Sequence, residues 1–133
     1  MRRLDWEVFQ GRRIQAIYGY FDDQSVPDAR PDRIVFACDG VGLSMSVDAD
    51  TDQLILETTA LESSSQCHPV PALDFCIGQE FGWAWFAENY LGYNDLFLIG
   101  FSKSGQPGEA LTPAIGFIGE GSVIGILRLS PLL

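Results

Sequence analysis

From residue 13 onward, apolar and polar positions alternate with period two over short runs broken by turn residues, which is the pattern of strands that bury one face. Residues 13–21 predict a first strand, and residues 22–32 have the composition of a polar loop. Arg33 to Cys38 predicts a second strand, and Asp39-Gly40 is the sequence of a tight hairpin turn. Beyond it Val41, Leu43, Met45 and Val47 alternate with Gly42, Ser44 and Ser46, so that third strand is expected to keep one wet face. Residues 48–52 form the next turn, and Leu54, Leu56 and Thr58 alternate with Ile55, Glu57 and Thr59 along a fourth strand. Residues 60–72, with three serines and two prolines, read as a crossing loop. The weak apolar patch from Leu73 to Ile77 fits either a helical turn or an edge strand.

The second half resumes the alternation. From Gln79 to Glu88, Phe81, Trp83 and Trp85 share one face and Gly82, Ala84 and Phe86 the other. Two tryptophans on one face go to one destination, and the core is the expected one. Asn89 to Asp95 turns the chain, giving an aromatic hairpin. Leu96 to Phe101 is apolar on both faces and should lie centrally in a sheet, buried on both sides. Residues 114–118 and 122–129, joined by Gly119-Glu120-Gly121, make a closing hairpin. Helix is expected only at residues 4–10, where Leu4, Val8 and Phe9 have helical spacing. The reading is mostly β: one antiparallel domain over residues 1–133, of about eight strands, arranged as a sandwich, a roll or a partly open barrel, with little helix.

Composition narrows the function more than it narrows the fold. The chain has 133 residues, enough for one core without staples. No apolar run approaches the ~20 residues of a membrane-spanning helix, and Met1-Arg2-Arg3 is followed at once by acids rather than by the apolar stretch of a signal peptide. The expectation is a cytoplasmic protein. Its three cysteines, Cys38, Cys67 and Cys76, are odd in number and widely spaced, which suits buried reduced thiols rather than a zinc or redox site. The net charge of −10 is uneven: residues 1–33 hold six arginines and six acids, whereas residues 34–133 hold Lys103 and Arg128 against twelve acids. Phosphate backbones would be repelled, so nucleic acid is not an expected partner, and a basic protein would be attracted.

Candidate chemistry is sparse. Asp48, Asp50 and Asp52 have the spacing that opens a calcium loop, but Gln53 and Thr59 stand where such a loop needs its glycine and its bidentate glutamate. An acidic hairpin tip is the better reading, and no metal or other cofactor is expected. His68, the one histidine, adjoins Cys67, but neighbours in an extended loop point apart. Glu80, Glu88 and Asp95 flank the aromatic hairpin as a glycosidase pair would, with no further sign of a cleft. No catalytic residue is assigned. The segment Gly82-x-x-Trp85-x-x-x-Asn89-x-x-Gly92-Tyr93-x-Asp95, followed by an apolar strand and a closing hairpin, resembles small bacterial β-rich proteins of unknown function, some of which are similar to toxin-immunity proteins.

The expected function is therefore non-catalytic protein binding, in the manner of an inhibitor of a basic toxin. Asp48, Asp50, Asp52, Tyr90, Tyr93 and Asp95 are the candidate contacts. The alternative is a small-molecule or carbohydrate-binding domain in which Trp83 or Trp85 is a stacking platform, and it requires exposed indoles. A homodimer would bury part of the aromatic excess.

Overall fold

The computed structural model describes residues 4–21, 30–61, 67–102 and 112–129. Most of the polar loop (22–29) and the triple serine of the crossing loop lie outside the described residues. Among the described residues nine strands form two antiparallel sheets: β1 (Ile14–Tyr20), β2 (Arg33–Cys38), β3 (Val41–Val47), β4 (Leu54–Thr59) and β5 (His68–Pro69) in the order β4-β3-β2-β1-β5, and β6 (Glu80–Ala87), β7 (Leu96–Ser102), β8 (Ile115–Glu120) and β9 (Val123–Arg128) in the order β6-β7-β8-β9. Strands two to four have the boundaries that alternation implies. The addition is β5, two residues long, which lies in the stretch read as a crossing loop and pairs with Gly19 and Tyr18. The helix expected at residues 4–10 is one 3₁₀ turn, Trp6–Val8, capped by the Asp5 carboxylate on the Glu7 N–H. A second 3₁₀ segment, Pro71–Cys76, is the helical alternative for the apolar patch.

The two sheets are stitched along one side. Gly11 N–H donates to Phe81 O, Phe81 N–H to Arg12 O, and Ile14 N–H to Gln79 O, so the start of β1 runs beside the start of β6. No closed barrel results, and a shared core fills the space between the sheets. Phe9, Phe36, Phe81, Phe97 and Phe117 are all essentially fully buried. Phe36 of the first sheet meets Phe81 and Phe117 of the second edge-on, at 5.9 and 5.8 Å between ring centroids. Edge-on pairs of this kind add about 0.5–1.5 kcal/mol beyond the area they bury.

β9 crosses the ends of the first sheet's strands. Its preceding turn bonds to Asp52, its Ile124 N–H donates to Pro31 O, and its Arg128 lies over the Phe75 ring. The turns follow local chemistry. Asp39 and Gly40 both have positive φ, +50° and +82°, as the tight hairpin requires. The closing hairpin turns on Gly121 and Ser122, φ +59° and +67°, one residue later than Gly119-Glu120-Gly121, because Glu120 still pairs with Val123.

Three expectations are corrected. The polar face of β3 is not wet: Gly42 and Ser44 are buried, because Arg33 reaches across to donate to Ser44 Oγ and Thr59 and Leu61 close over Gly42. β7 is interior to its sheet, but only Phe97, Ile99 and Phe101 face the core; Leu96 and Leu98 point the other way and are part-exposed. The third concerns the tryptophans. Phe81 pairs with Phe101 but Ala84 pairs with Ile99, so Gly82 and Trp83 together oppose the single residue Gly100. This β-bulge shifts the alternation by one. Phe81 enters the core before it, and Ala84 and Phe86 pack against the core after it, leaving Trp83 and Trp85 on the outer face. The carbonyl of Gly82 accepts the indole N–H of Trp6 at 2.8 Å. Trp6 is the tryptophan that packs inward, 5.1 Å from Phe81 and 5.8 Å from Phe97.

Candidate functional site

Three loops meet at one end of the molecule: the β3–β4 turn, the β6–β7 turn and the β8–β9 turn. Backbone and side-chain bonds tie them together. Leu54 N–H donates to Asn94 O at 2.8 Å, Asn94 N–H to Gln53 Oε1 at 3.2 Å, and Gly119 N–H to Asp95 O at 2.9 Å. Asp52 completes the set by accepting the Gly121 and Ser122 N–H groups on its two carboxylate oxygens, at 3.2 and 3.0 Å. A side chain at Gly119 would collide with the Asp52 carbonyl, which is why glycine stands where the first and third loops touch. All six sequence-derived contact candidates therefore come to the same end, although they lie on two distant parts of the chain.

Their roles differ once placed. Asp48 accepts the Asp50 N–H at 2.8 Å and shapes its own turn. Asp52, in the left-handed region at φ +59°, is a clamp on the third loop. Asp95 accepts Asn89 Nδ2 at 3.1 Å. Of the three β3–β4 carboxylates Asp50 is exposed, and Asp48 and Asp52 are half-buried. The β6–β7 turn is organised by Asn89, whose Oδ1 accepts the Leu91 and Tyr93 N–H groups while its own N–H donates to Tyr93 O. Gly92 takes the φ of +85° that closes it. The result is a fixed tip from which Tyr90 projects at 95 % exposure and Leu91 at 62 %, with Tyr93 beside them at 37 %. Leu91 is the member that sequence reasoning missed. Only its neighbours Tyr90 and Tyr93 in a turn could have signalled it.

Glu88 is also exposed at this end, and none of residues 48–53, 88–95 or 119–122 is a base. Arg30, ion-paired with Glu120, borders the cluster on the β9 side.

Of the three carboxylates that flank the aromatic hairpin, Glu88 and Asp95 follow and precede the paired Ala87 and Leu96 at the three-loop end, and Glu80 stands apart. Glu80 begins β6 and binds Arg13 at 2.9 Å, whereas Asp95 lies beyond the far end of that eight-residue strand. At ~3.3 Å per residue, the two stand far outside the ~5–10 Å over which paired carboxylates share a glycosidic bond. No disulfide joins the cysteines. Burial pushes the Cys38 thiol up to about 11, with Arg12 opposing and Asp39 adding to the shift, and pushes Cys76 up to about 12 against a smaller pull from Arg128. Neither is a thiolate at neutral pH. No group of three or more metal-ligating side chains occurs among the described residues.

Trp83, 47 % exposed, and Trp85, part-exposed, lie on the outer face of the second sheet. Trp85 there begins a cross-strand row, Trp85–Leu98–Gly116–Leu127, that spans all four strands. Gly116 leaves room for Leu98 to lean across it toward Leu127.

Comparison with known protein families decides the chain's kinship: a family model described as a family of unknown function, DUF6334, matches residues 1–132. The chain belongs to the DUF6334 family. No curated protein and no solved structure matches it. The DUF6334 match covers both sheets and all three loops, so the loop cluster and the aromatic face lie within the region that defines the family. Among the described residues no helix is long and apolar enough to cross a membrane.

Proposed function

We propose that this DUF6334 protein is a non-catalytic protein-binding domain whose contact surface is the three-loop end, and that its partner is a basic protein. The observation that carries this reading is Tyr90, almost fully exposed at the apex of a turn that Asn89 holds rigid. A large aromatic side chain kept in water on an ordered loop loses little conformational freedom when it docks, and tyrosines dominate interface hot spots. Leu91 and Tyr93 enlarge the apolar tip, and Asp50 and Glu88, both exposed, add negative charge to the same three-loop end. Complementary charge of this kind speeds encounter and selects partners more than it deepens affinity. An immunity-type inhibitor seated on a basic toxin is the specific form of this proposal, since blocking such an enzyme needs a rigid acidic surface and no chemistry of its own.

The test is capture from native lysate at low and at physiological salt, run in parallel with a Tyr90→Ala variant. A stoichiometric basic partner whose retention falls with salt and is lost in Tyr90→Ala is the expected result. Equal capture by both proteins would remove the tip from the account.

Exposure of Trp83 favours a second reading. Trp83 and Trp85, beside the row of Leu98 and Leu127, form a platform on which a sugar ring or planar small molecule would stack. Saturable quenching of tryptophan fluorescence by a soluble oligosaccharide, abolished in Trp83→Ala, would support that reading over the first; no response across a glycan panel would remove it.

A further inference from the structure

The outer face of the second sheet is uncharged across its middle. Beside the row Trp85–Leu98–Gly116–Leu127 runs a second complete row, Ala87–Leu96–Ile118–Gly125. Every position in the two rows is apolar or glycine, in a chain of which 20 % is charged. Trp83 and Leu129 continue the face away from the three loops, and with Leu127 they are exposed. At its margins, Glu80 at the start of β6 is paired with Arg13, and Glu120 at the end of β8 with Arg30. An uncharged centre inside a polar rim is the anatomy of a protein interface. Contiguous apolar patches of more than a few hundred square ångströms are rare on proteins that stay monomeric.

We infer that this face pairs with the same face of a second copy of the chain, in a twofold dimer whose two second sheets pack against each other. A basic partner finds no acid in either row, whereas an uncharged apolar face is matched by another of its kind, and a twofold axis brings it to itself. The outer face of the first sheet offers no such match, because Arg33 and Glu57 stand on it opposite Ser46 and Ser44. The area is sufficient. Four strands of six to eight residues, about 4.8 Å apart and rising about 3.3 Å per residue, present a face of roughly 19 by 20 Å. Side-chain relief adds to that projection, and two copies together bury about 1,000 Å², the size at which specific but dissociable interfaces begin. Net charge sets the orientation. Each copy carries −10, and the exposed Asp50 and Glu88 stand at the three-loop end. A twofold running across the strands places those ends at opposite ends of the dimer, where they repel least. Both tips then remain open to a partner, so loss of the dimer would leave the proposed function standing. The stacking reading is the one it competes with, because the second copy covers Trp83 and Trp85.

The test is sedimentation equilibrium of the full chain from about 5 to about 500 µM, at about 50 and about 500 mM salt. Expected is a monomer–dimer equilibrium that tightens at the higher salt, because screening weakens the repulsion between two acidic copies and the uncharged face loses nothing to it. Capture of a basic partner has the opposite salt dependence. Leu127→Lys and Trp83→Ala, both at exposed positions, should each weaken the dimer by at least about tenfold, whereas Tyr90→Ala should dimerise as the parent does. Acrylamide quenching of the parent should fall as its concentration rises through the dissociation constant, since the indole of Trp83 is open in the single chain and covered in the dimer. A monomer mass at every concentration in both salts, a dimer that weakens with salt, a dimer unchanged in both Leu127→Lys and Trp83→Ala, or one lost in Tyr90→Ala would each overturn the inference.

Discussion

Asp48, Asp50 and Asp52 share one turn and one residue type, yet the chain uses each differently. Asp52 holds two N–H groups of the β8–β9 turn, whereas Asp50 is exposed. Hydrogen bonds to a charged acceptor contribute about 1.5–3 kcal/mol when lost, so Asp52→Ala should lower unfolding stability by an amount in that range. Asp50→Ala should leave the urea midpoint unchanged and weaken partner binding only at low salt. Equal midpoints for the two variants would contradict the clamp. The cysteines divide in the same way. Cys38 and Cys76 are buried and their ionisation is pushed up to about 11 and about 12, whereas Cys67 is part-exposed. A thiol whose folded value is raised favours folding fully below its ordinary value near 9.0, and that contribution is lost as pH rises through 11 to 12. Native protein treated with an aromatic disulfide reagent at pH 8 should therefore lose Cys67 first, with Cys38 and Cys76 reacting only on unfolding. Rapid reaction of two thiols would refute the burial. The sequence already favoured reduced buried thiols; that Cys67 would stand apart was not legible, because its neighbours give no alternation to read.

At the scale of elements, β7 showed as a run apolar on both faces, and period-two alternation marked β3, β4 and β6. It failed at the β6 bulge for a physical reason. Phe81, Trp83 and Trp85 alternate perfectly in sequence, and inserting one residue opposite Gly100 sends the first inward and the other two outward. Gly82 was the one local hint, since glycine within a strand often marks a bulge. What fixes the bulge is non-local: Trp6, 76 positions away, donates to the Gly82 carbonyl. The arrangement predicts tryptophan fluorescence with a component quenched by acrylamide, and Trp83→Phe should remove most of that component while Trp6→Phe should not. Quenching that survives in Trp83→Phe would place the exposed indole elsewhere. β5 was also hidden, because a two-residue strand carries no period and Pro69 argues against any strand.

For the whole molecule, the position of the candidate site depends on packing that no segment encodes alone. The sequence named the acidic turn and the tyrosine turn separately, about 40 residues apart. Their meeting depends on β3 and β6 ending at the same corner, where Gln53 and Leu54, at the start of β4, bond to Asn94. The charge imbalance was legible by counting, and it makes the molecule acidic at that end. Leu91 was not, since it is an apolar residue in a turn. The proposed function requires that the tip, and not the outer aromatic face, engage a protein partner. The measurement that tests it most directly is the affinity of the captured partner for Tyr90→Ala and for Trp83→Ala, side by side at physiological salt. Loss of at least about tenfold (~1.4 kcal/mol) for Tyr90→Ala, with Trp83→Ala unchanged, is the predicted result; the reverse pattern would contradict the account and move the binding surface to the outer face of the second sheet.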